Sequence, residues 1–206
     1  MNVQTNESLN DSRASPILLS DRLRAATHSM HEKVDRAIMA AKPFETVGRY
    51  GRFLSVQHGI HRDVQPLYSS TTLAGLFPGL NERSRLAAVE QDLADLGLKA
   101  PDYTQPPATD TAPPLDTPEA LGWLYVVEGS NLGAAFLLKY AMDLGLSEGH
   151  GARHLAAPPQ GRAPSWKAFK GALNAFDLSE AEVLRAIAAA DTAFARVQRL
   201  IGHHFP

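Results

Sequence analysis

Gly122-Trp123-Leu124-Tyr125-Val126-Val127-Glu128-Gly129-Ser130-Asn131-Leu132-Gly133-Ala134-Ala135-Phe136 lies in the longest apolar helical pattern of the chain, with two glycines four residues apart in its second half. Each glycine inside a helix costs about 1 kcal/mol relative to alanine. Residues Tyr125, Gly129, Gly133, Phe136 and Tyr140 follow at helical steps and form one stripe, bare at its centre and aromatic at its ends. Such a stripe admits either a neighbouring helix at close range or a flat ligand pressed against backbone, and the spacing alone leaves both open.

Outward from this stretch, the pattern is helical throughout. Thr117 is expected to cap the central helix, with Pro118 at its first position, and the helix to run to about residue 144. Upstream, Ser20 is the expected cap of a helix over 21–41, followed by helices over 46–68 and 81–96 with a short loop at Pro78-Gly79. Pro101, Pro106, Pro107, Pro113 and Pro114 make residues 99–115 an extended connection. Downstream, a glycine-, histidine- and proline-rich loop reaches Ser165, a shorter helix ends near Phe176, and Ser179 with Glu182 signals a capping box for a last helix to about Gly202. No alternating strand pattern competes. The expected architecture is all-α, one domain over 17–206 preceded by a polar tail, residues 1–16, that lacks the pattern of a signal peptide.

Composition narrows the function classes. A formal charge of −2 on 206 residues, with both signs mixed along the chain, leaves no basic footprint for nucleic acid. With no cysteine there is no disulfide, no thiolate metal site and no cysteine nucleophile, which fits a cytoplasmic enzyme. Glu128, Ser130 and Asn131 interrupt the apolar run and argue against a membrane span. No phosphate loop, zinc helix, nucleophile elbow or paired Glu-x-x-His motif is present, and no flavin or nicotinamide site.

A second constellation lies on the first helix, where Arg24, His31, Asp35 and Ile38 fall near one face. Asp35, one turn after His31, is placed to accept the Nδ1 proton and leave a neutral Nε2 for a metal. Arg24, about 10 Å earlier along the axis, is placed for a carboxylate at the rim of a large ligand. A lone histidine on a helix is more often plain surface or core, and His28 competes for the same role. Trp123, Phe53, Phe136 and Phe194 are expected in the core, with one or two of them lining a pocket.

Leu23-Arg24-Ala25 through His31-Glu32-Lys33-Val34-Asp35, the central segment 122–136, and Gly151-Ala152-Arg153-His154-Leu155-Ala156 together resemble the heme oxygenases, specifically the compact bacterial enzymes that release iron from heme. The resemblance spans roughly residues 20–203. It implies heme b between a proximal first helix and a kinked distal helix, with His31 as iron ligand and Asp35 as its partner. It places Gly129 and Gly133 over the ring, and Phe136, Tyr140 and Phe194 around it. Arg24 and Tyr125 resemble the positions that hold the propionates. The family often has an aspartate after the first distal glycine, where this chain has Ser130. That favours the bacterial variant, in which Asn131, Arg85, Gln57 and His61 resemble members of an extended polar and water network.

The resemblance further implies that heme is both substrate and oxygen-activating group, yielding biliverdin, carbon monoxide and ferrous iron from O2 and electrons. The donor would be external, a ferredoxin- or flavodoxin-type reductase system in the cell or ascorbate in vitro, acting on a monomer. The α isomer is expected, because Arg24, Tyr125 and Tyr140 stand where β/δ-cleaving relatives have asparagine, phenylalanine and lysine. Alternatives are a heme carrier or sensor without turnover, a ligand-free interaction domain, and supply of biliverdin to a bacteriophytochrome.

Overall fold

The computed structural model describes residues 17–206, so the expected tail 1–16 lies outside the described residues. Eight α-helices follow in order: α1 (Leu19–Ala40), α2 (Val47–Tyr68), α3 (Thr71–Leu76), α4 (Leu86–Asp95), α5 (Thr117–Ser130), α6 (Ala134–Asp143), α7 (Arg162–Leu173) and α8 (Glu180–His204). Two 3-10 turns, Asn81–Arg83 and Arg153–Leu155, complete the pattern, and the described residues contain no strand beyond two isolated bridges from Ser147. The architecture is all-α, as expected.

Helix α8 is the spine. The Ser179 hydroxyl accepts the Glu182 N–H while the Glu182 carboxylate accepts the Ser179 N–H, which closes the predicted capping box. Ala186, Ala189, Ala190 and Ala193 then present a stripe of small buried side chains, and α5, α1 and α2 all pack on this helix. At the α5 crossing the two backbones nearly touch. A Cβ added at Gly122 would stand 2.1 Å from the Ala186 carbonyl oxygen and 2.9 Å from the Ala190 nitrogen. Gly122 is therefore required by helix packing, since two backbones at that range leave no room for a methyl group.

Gly129 and Gly133 differ. A Cβ at Gly129 would meet only Trp166, at 3.6 Å, and one at Gly133 only the Ser130 carbonyl of its own turn, also at 3.6 Å. Both are ordinary contacts. Gly133 has φ −70°, which any residue adopts. Neither glycine is needed for its own backbone or for a neighbouring helix, so close helix packing is removed as their explanation.

Several local expectations are corrected. Ser20 sits inside α1, not at its cap: Leu18 precedes the helix without a side-chain bond, and the Ser20 N–H is taken by Asn174 Oδ1 from across the fold. At α5 the cap is Asp116, whose carboxylate accepts the Glu119 N–H, and Thr117 is already helical. The helix expected over 81–96 is a 3-10 turn, a break and then α4, while the Ser70 hydroxyl caps the unforeseen short helix α3. Helix α7 begins at Arg162, before the expected Ser165, and ends at Leu173. Phe53, Trp123 and Phe194 are buried, but Phe136 is 68% exposed, so it does not belong to the core. The central helix divides at Asn131–Gly133, and the run Thr117–Asp143, apolar enough to cross a membrane by composition, is two helices here, with most of α5 in the core.

Gly122→Val should destabilise the chain by about 1–3 kcal/mol or more through overpacking, read as a lowered urea midpoint with unchanged slope. Gly171→Ala, on α7 with nothing within 4 Å of the new methyl, should stabilise it by about 0.5–1 kcal/mol. Equal effects at the two positions would contradict the close crossing.

Candidate heme site

The break between α5 and α6 has a definite hydrogen-bond pattern. Asn131, Leu132 and Gly133 donate to the carbonyls of Glu128, Gly129 and Ser130, three residues back, at 3.3, 3.1 and 3.1 Å. These tight turns replace the α-helical ladder and redirect the chain. Arg162 braces the bend from α7, its Nη1 donating to the Asn131 carbonyl at 3.3 Å. The Ser130 hydroxyl donates to the Val127 carbonyl at 2.7 Å, so this side chain spends its proton on its own helix. Beyond the bend, Leu132, Phe136 and Tyr140 are large exposed apolar side chains at 41%, 68% and 44%. An apolar rim beside bare glycine backbone is what a flat apolar ligand would cover.

Helix α1 supplies the expected opposing groups. His31 Nδ1 lies 3.1 Å from Asp35 Oδ2, which leaves Nε2 as the free ring nitrogen. His28 is arranged the other way, with Nε2 itself 3.3 Å from Glu32 Oε1. The two rings are thus presented differently, with Nε2 left free at His31 and Nδ1 at His28. Phe194 on α8 packs edge-on to the His31 ring at 5.9 Å between centroids and limits its rotation. Arg24 lies on α1 and Tyr125, half-buried, on α5: burial raises the Tyr125 hydroxyl pKa, and the Arg24 charge opposes that rise. At the far end Tyr140 lies 5.5 Å from Phe44 in the connection after α1.

Of the four further predicted residues, three lie on or beside α2 and α4 and one at the bend. His61 is buried on α2, Arg85 half-buried just before α4, and Gln57 half-buried one turn before His61. Asn131 is half-buried at the bend. His61 and Arg85 belong to a polar cluster whose other members sequence reasoning did not assign. Glu128, only 3% exposed, accepts from Tyr68 Oη at 2.7 Å and Arg83 Nε at 2.8 Å. His154 Nδ1 lies 2.7 Å from Asp92 Oδ2, and both residues are buried. Glu128 had a visible signal, an acid inside an apolar run. His154 lay in a matched motif with no role attached, and Asp92 on an ordinary-looking helix.

Burial governs the protonation of this cluster. It pushes His61 down to about 3, helped by the charges of His154, Arg85 and His58. His154 is likewise lowered by burial, against the opposing pull of Asp92. Burial would raise the Asp92 carboxyl, but hydrogen bonds from the His154 ring, the His154 N–H and the Arg153 N–H hold it below its ordinary value.

The fold and this site define an all-helical protein in which α1 offers a histidine and an arginine and the α5–α6 bend offers glycine backbone beside exposed apolar side chains. Free imidazole nitrogen, bare backbone, apolar rim and arginine would suit a flat, metal-bearing, carboxylated ligand. Residues 18–202 match the heme oxygenase family. The chain is 42% identical over 188 residues to the heme oxygenase PigA of Pseudomonas aeruginosa, covering 91% of this chain and 93% of that protein. The heme oxygenase of Neisseria meningitidis, solved in NO- and CO-bound forms, superposes with TM-score 0.86 at 38% identity over 92% of each chain. The Synechocystis enzyme, solved in complex with heme, shares the fold at TM-score 0.71 and 16% identity, over 91% of this chain and 92% of that one. The chain belongs to the heme oxygenase family, and it is an enzyme of heme degradation.

Because His61 holds its proton about 3.5 pH units less readily than an ordinary histidine at 6.5, the unfolded chain binds the proton in preference to the folded one. Stability should therefore be full above about pH 6.5 and fall as pH drops towards 3, with a slope of up to about 1.4 kcal/mol per pH unit from this residue. The depressed Asp92 carboxyl adds a loss of the same sign at lower pH. Urea unfolding between pH 7 and 4 checks this, and His61→Gln should flatten the slope.

Proposed function

We propose that this enzyme holds heme b between α1 and the α5–α6 bend and opens it oxidatively to biliverdin, carbon monoxide and ferrous iron. The observation that carries the reading is the contrast among three glycines of α5 and its continuation. Gly122 is filled by a neighbouring backbone, while Gly129 meets only the edge of the Trp166 ring and Gly133 only its own turn, beside an exposed apolar rim. His31 would bind the iron through Nε2, with Asp35 holding Nδ1–H and so the ring's tautomer. When bound, heme supplies the O2 chemistry. The chain's own part is positional: bare backbone at Gly129 and Gly133 lets the helix approach the ring and crowd out an upright ligand. Asn131, Arg85, Gln57 and His61 would supply the polar side of the pocket, and Phe136, Tyr140 and Phe194 its apolar walls. Ser130 would contribute through backbone, given the bond its hydroxyl already makes.

Electrons would come from an external ferredoxin- or flavodoxin-type system, or ascorbate in vitro, since the chain carries no flavin or nicotinamide motif. We assign the reaction to iron release from heme in the cytoplasm, by a monomer. Arg24 and Tyr125, with Tyr140, would favour one seating of the propionates and hence the α isomer of biliverdin. Chromatography of the product showing mainly β or δ isomer would refute that seating.

Titration with hemin followed by reductant and oxygen tests the whole reading: the Soret band should form and then give way to biliverdin. His31→Ala should abolish the axial-histidine spectrum and turnover, whereas His28→Ala should leave both intact. The reverse result would reassign the ligand. Gly133→Leu should fold and bind heme but slow ring opening by on the order of a hundredfold, about 3 kcal/mol of barrier; turnover at the normal rate would sink the role given to the bare backbone.

A further inference from the structure

Among the described residues, Arg162 is the only side chain of another element that bonds to the backbone of the bend. The tight turns there use the carbonyls of Glu128, Gly129 and Ser130, and α6 resumes on the carbonyl of Gly133. The Asn131 carbonyl between them takes no backbone N–H among the described residues. Arg162 Nη1 donates to it at 3.3 Å, and Nη2 donates to the Leu155 carbonyl at 2.5 Å. A guanidinium is a rigid planar fork, so two bonds from its two terminal nitrogens hold two carbonyls at a set separation, which a lysine ammonium does not do.

The Leu155 end of this link is anchored. Leu155 is buried and closes the 3-10 turn Arg153–Leu155. The N–H groups of Arg153 and His154 both donate to the buried carboxylate of Asp92 on α4, at 2.8 and 3.0 Å. The bend end is not held by packing: a cavity of about 10 Å³ lies between it and α7, lined by Arg83, Glu128, Asn131, Leu132, Arg162 and Trp166. Close-packed elements fix one another by contact; across this gap a hydrogen bond does so. Local preference does not explain the arginine either. Arg162 is the first residue of α7, where the positive end of the helix dipole disfavours a cation. Its partners are tertiary.

We propose that Arg162 is a positioning residue: its fork ties the Asn131 carbonyl to the loop that Asp92 anchors, and so sets where the backbone from Gly129 to Gly133 stands relative to a ligand beside it. The consequence for turnover rests on the function proposed above; the brace itself does not.

Amide hydrogen exchange of the heme-free chain, read by NMR, tests the brace directly. Arg162→Met keeps the apolar stem and removes both donors. Exchange at Leu132, Gly133 and Leu137 should quicken about tenfold, as the loss of one net hydrogen bond implies, while exchange along α8 stays unchanged. Unaltered exchange at the bend, or equal quickening throughout the chain, would overturn the brace. In the heme-loaded enzyme, Arg162→Met should keep the affinity for hemin and the His31-ligated spectrum. It should shift the C–O stretch of the ferrous carbon monoxide adduct and lower the biliverdin rate at saturating heme about tenfold, about 1.4 kcal/mol of barrier. Arg162→Lys, which reaches one carbonyl but cannot bridge both, should recover part of that loss. An unshifted stretch, a full rate with methionine, or no recovery with lysine would overturn the positioning role. Should the methionine variant not fold, the lysine variant decides alone, by exchange at the bend quicker than in the wild type or equal to it. Failure of the wild-type chain to bind heme would instead defeat the functional reading, with the exchange data still deciding the brace.

Discussion

Everything in this fold that could hold a ligand depends on how α5 lies against α8. At Gly122 the contact is backbone on backbone, with the Ala186 carbonyl where a side chain would begin. A crossing that tight admits little sliding or rotation, because close-packed interiors have no slack to absorb either. Gly129 lies seven residues further on, about 10 Å along the axis and on the same face of the helix. By that point the small-residue face has passed beyond α8. The close approach that one glycine permits towards a helix is offered by the next two to something else.

The other side of the same segment is bound by charge. Glu128 adjoins Gly129 in the sequence but points into protein, held by Tyr68 and Arg83. Removing one partner of such a buried pair costs about 3–5 kcal/mol, so the end of α5 is fixed on its inner side while its glycine face stays bare. Arg162 then braces the bend at Asn131. A rigid back and an uncovered front are complementary: the first keeps the second from collapsing onto neighbouring side chains. The same division separates the histidines. His31 is exposed and directed by Asp35, available to a ligand, while His61 and His154 are sealed within the polar cluster and kept neutral by burial.

Much of this was legible in advance. Helical periodicity, proline and glycine punctuation and the Ser179 capping box identified an all-helical chain, because these signals act within a turn or two of sequence. The Arg24-His31-Asp35 stripe was legible for the same reason, and the His31–Asp35 contact follows from i, i+4 geometry alone. Where a distant residue supplied the partner, local reasoning failed. Ser20 looks like a cap but is outcompeted by Asn174, 154 positions away. Phe136 has the composition of a core residue, yet no element covers it.

By itself the sequence determined the helical class, the spacing of the glycines and the pairing of His31 with Asp35, all consequences of the helical repeat. Only the tertiary structure decided which glycine serves packing and which remain open, since that depends on where α8 stops lying against α5. It alone also assembled Glu128 with Tyr68 and Arg83, and His154 with Asp92, across separations of 45 to 62 residues. Burying a charge or an imidazole demands a partner at hydrogen-bond distance, and folding chooses which distant side chain meets that demand.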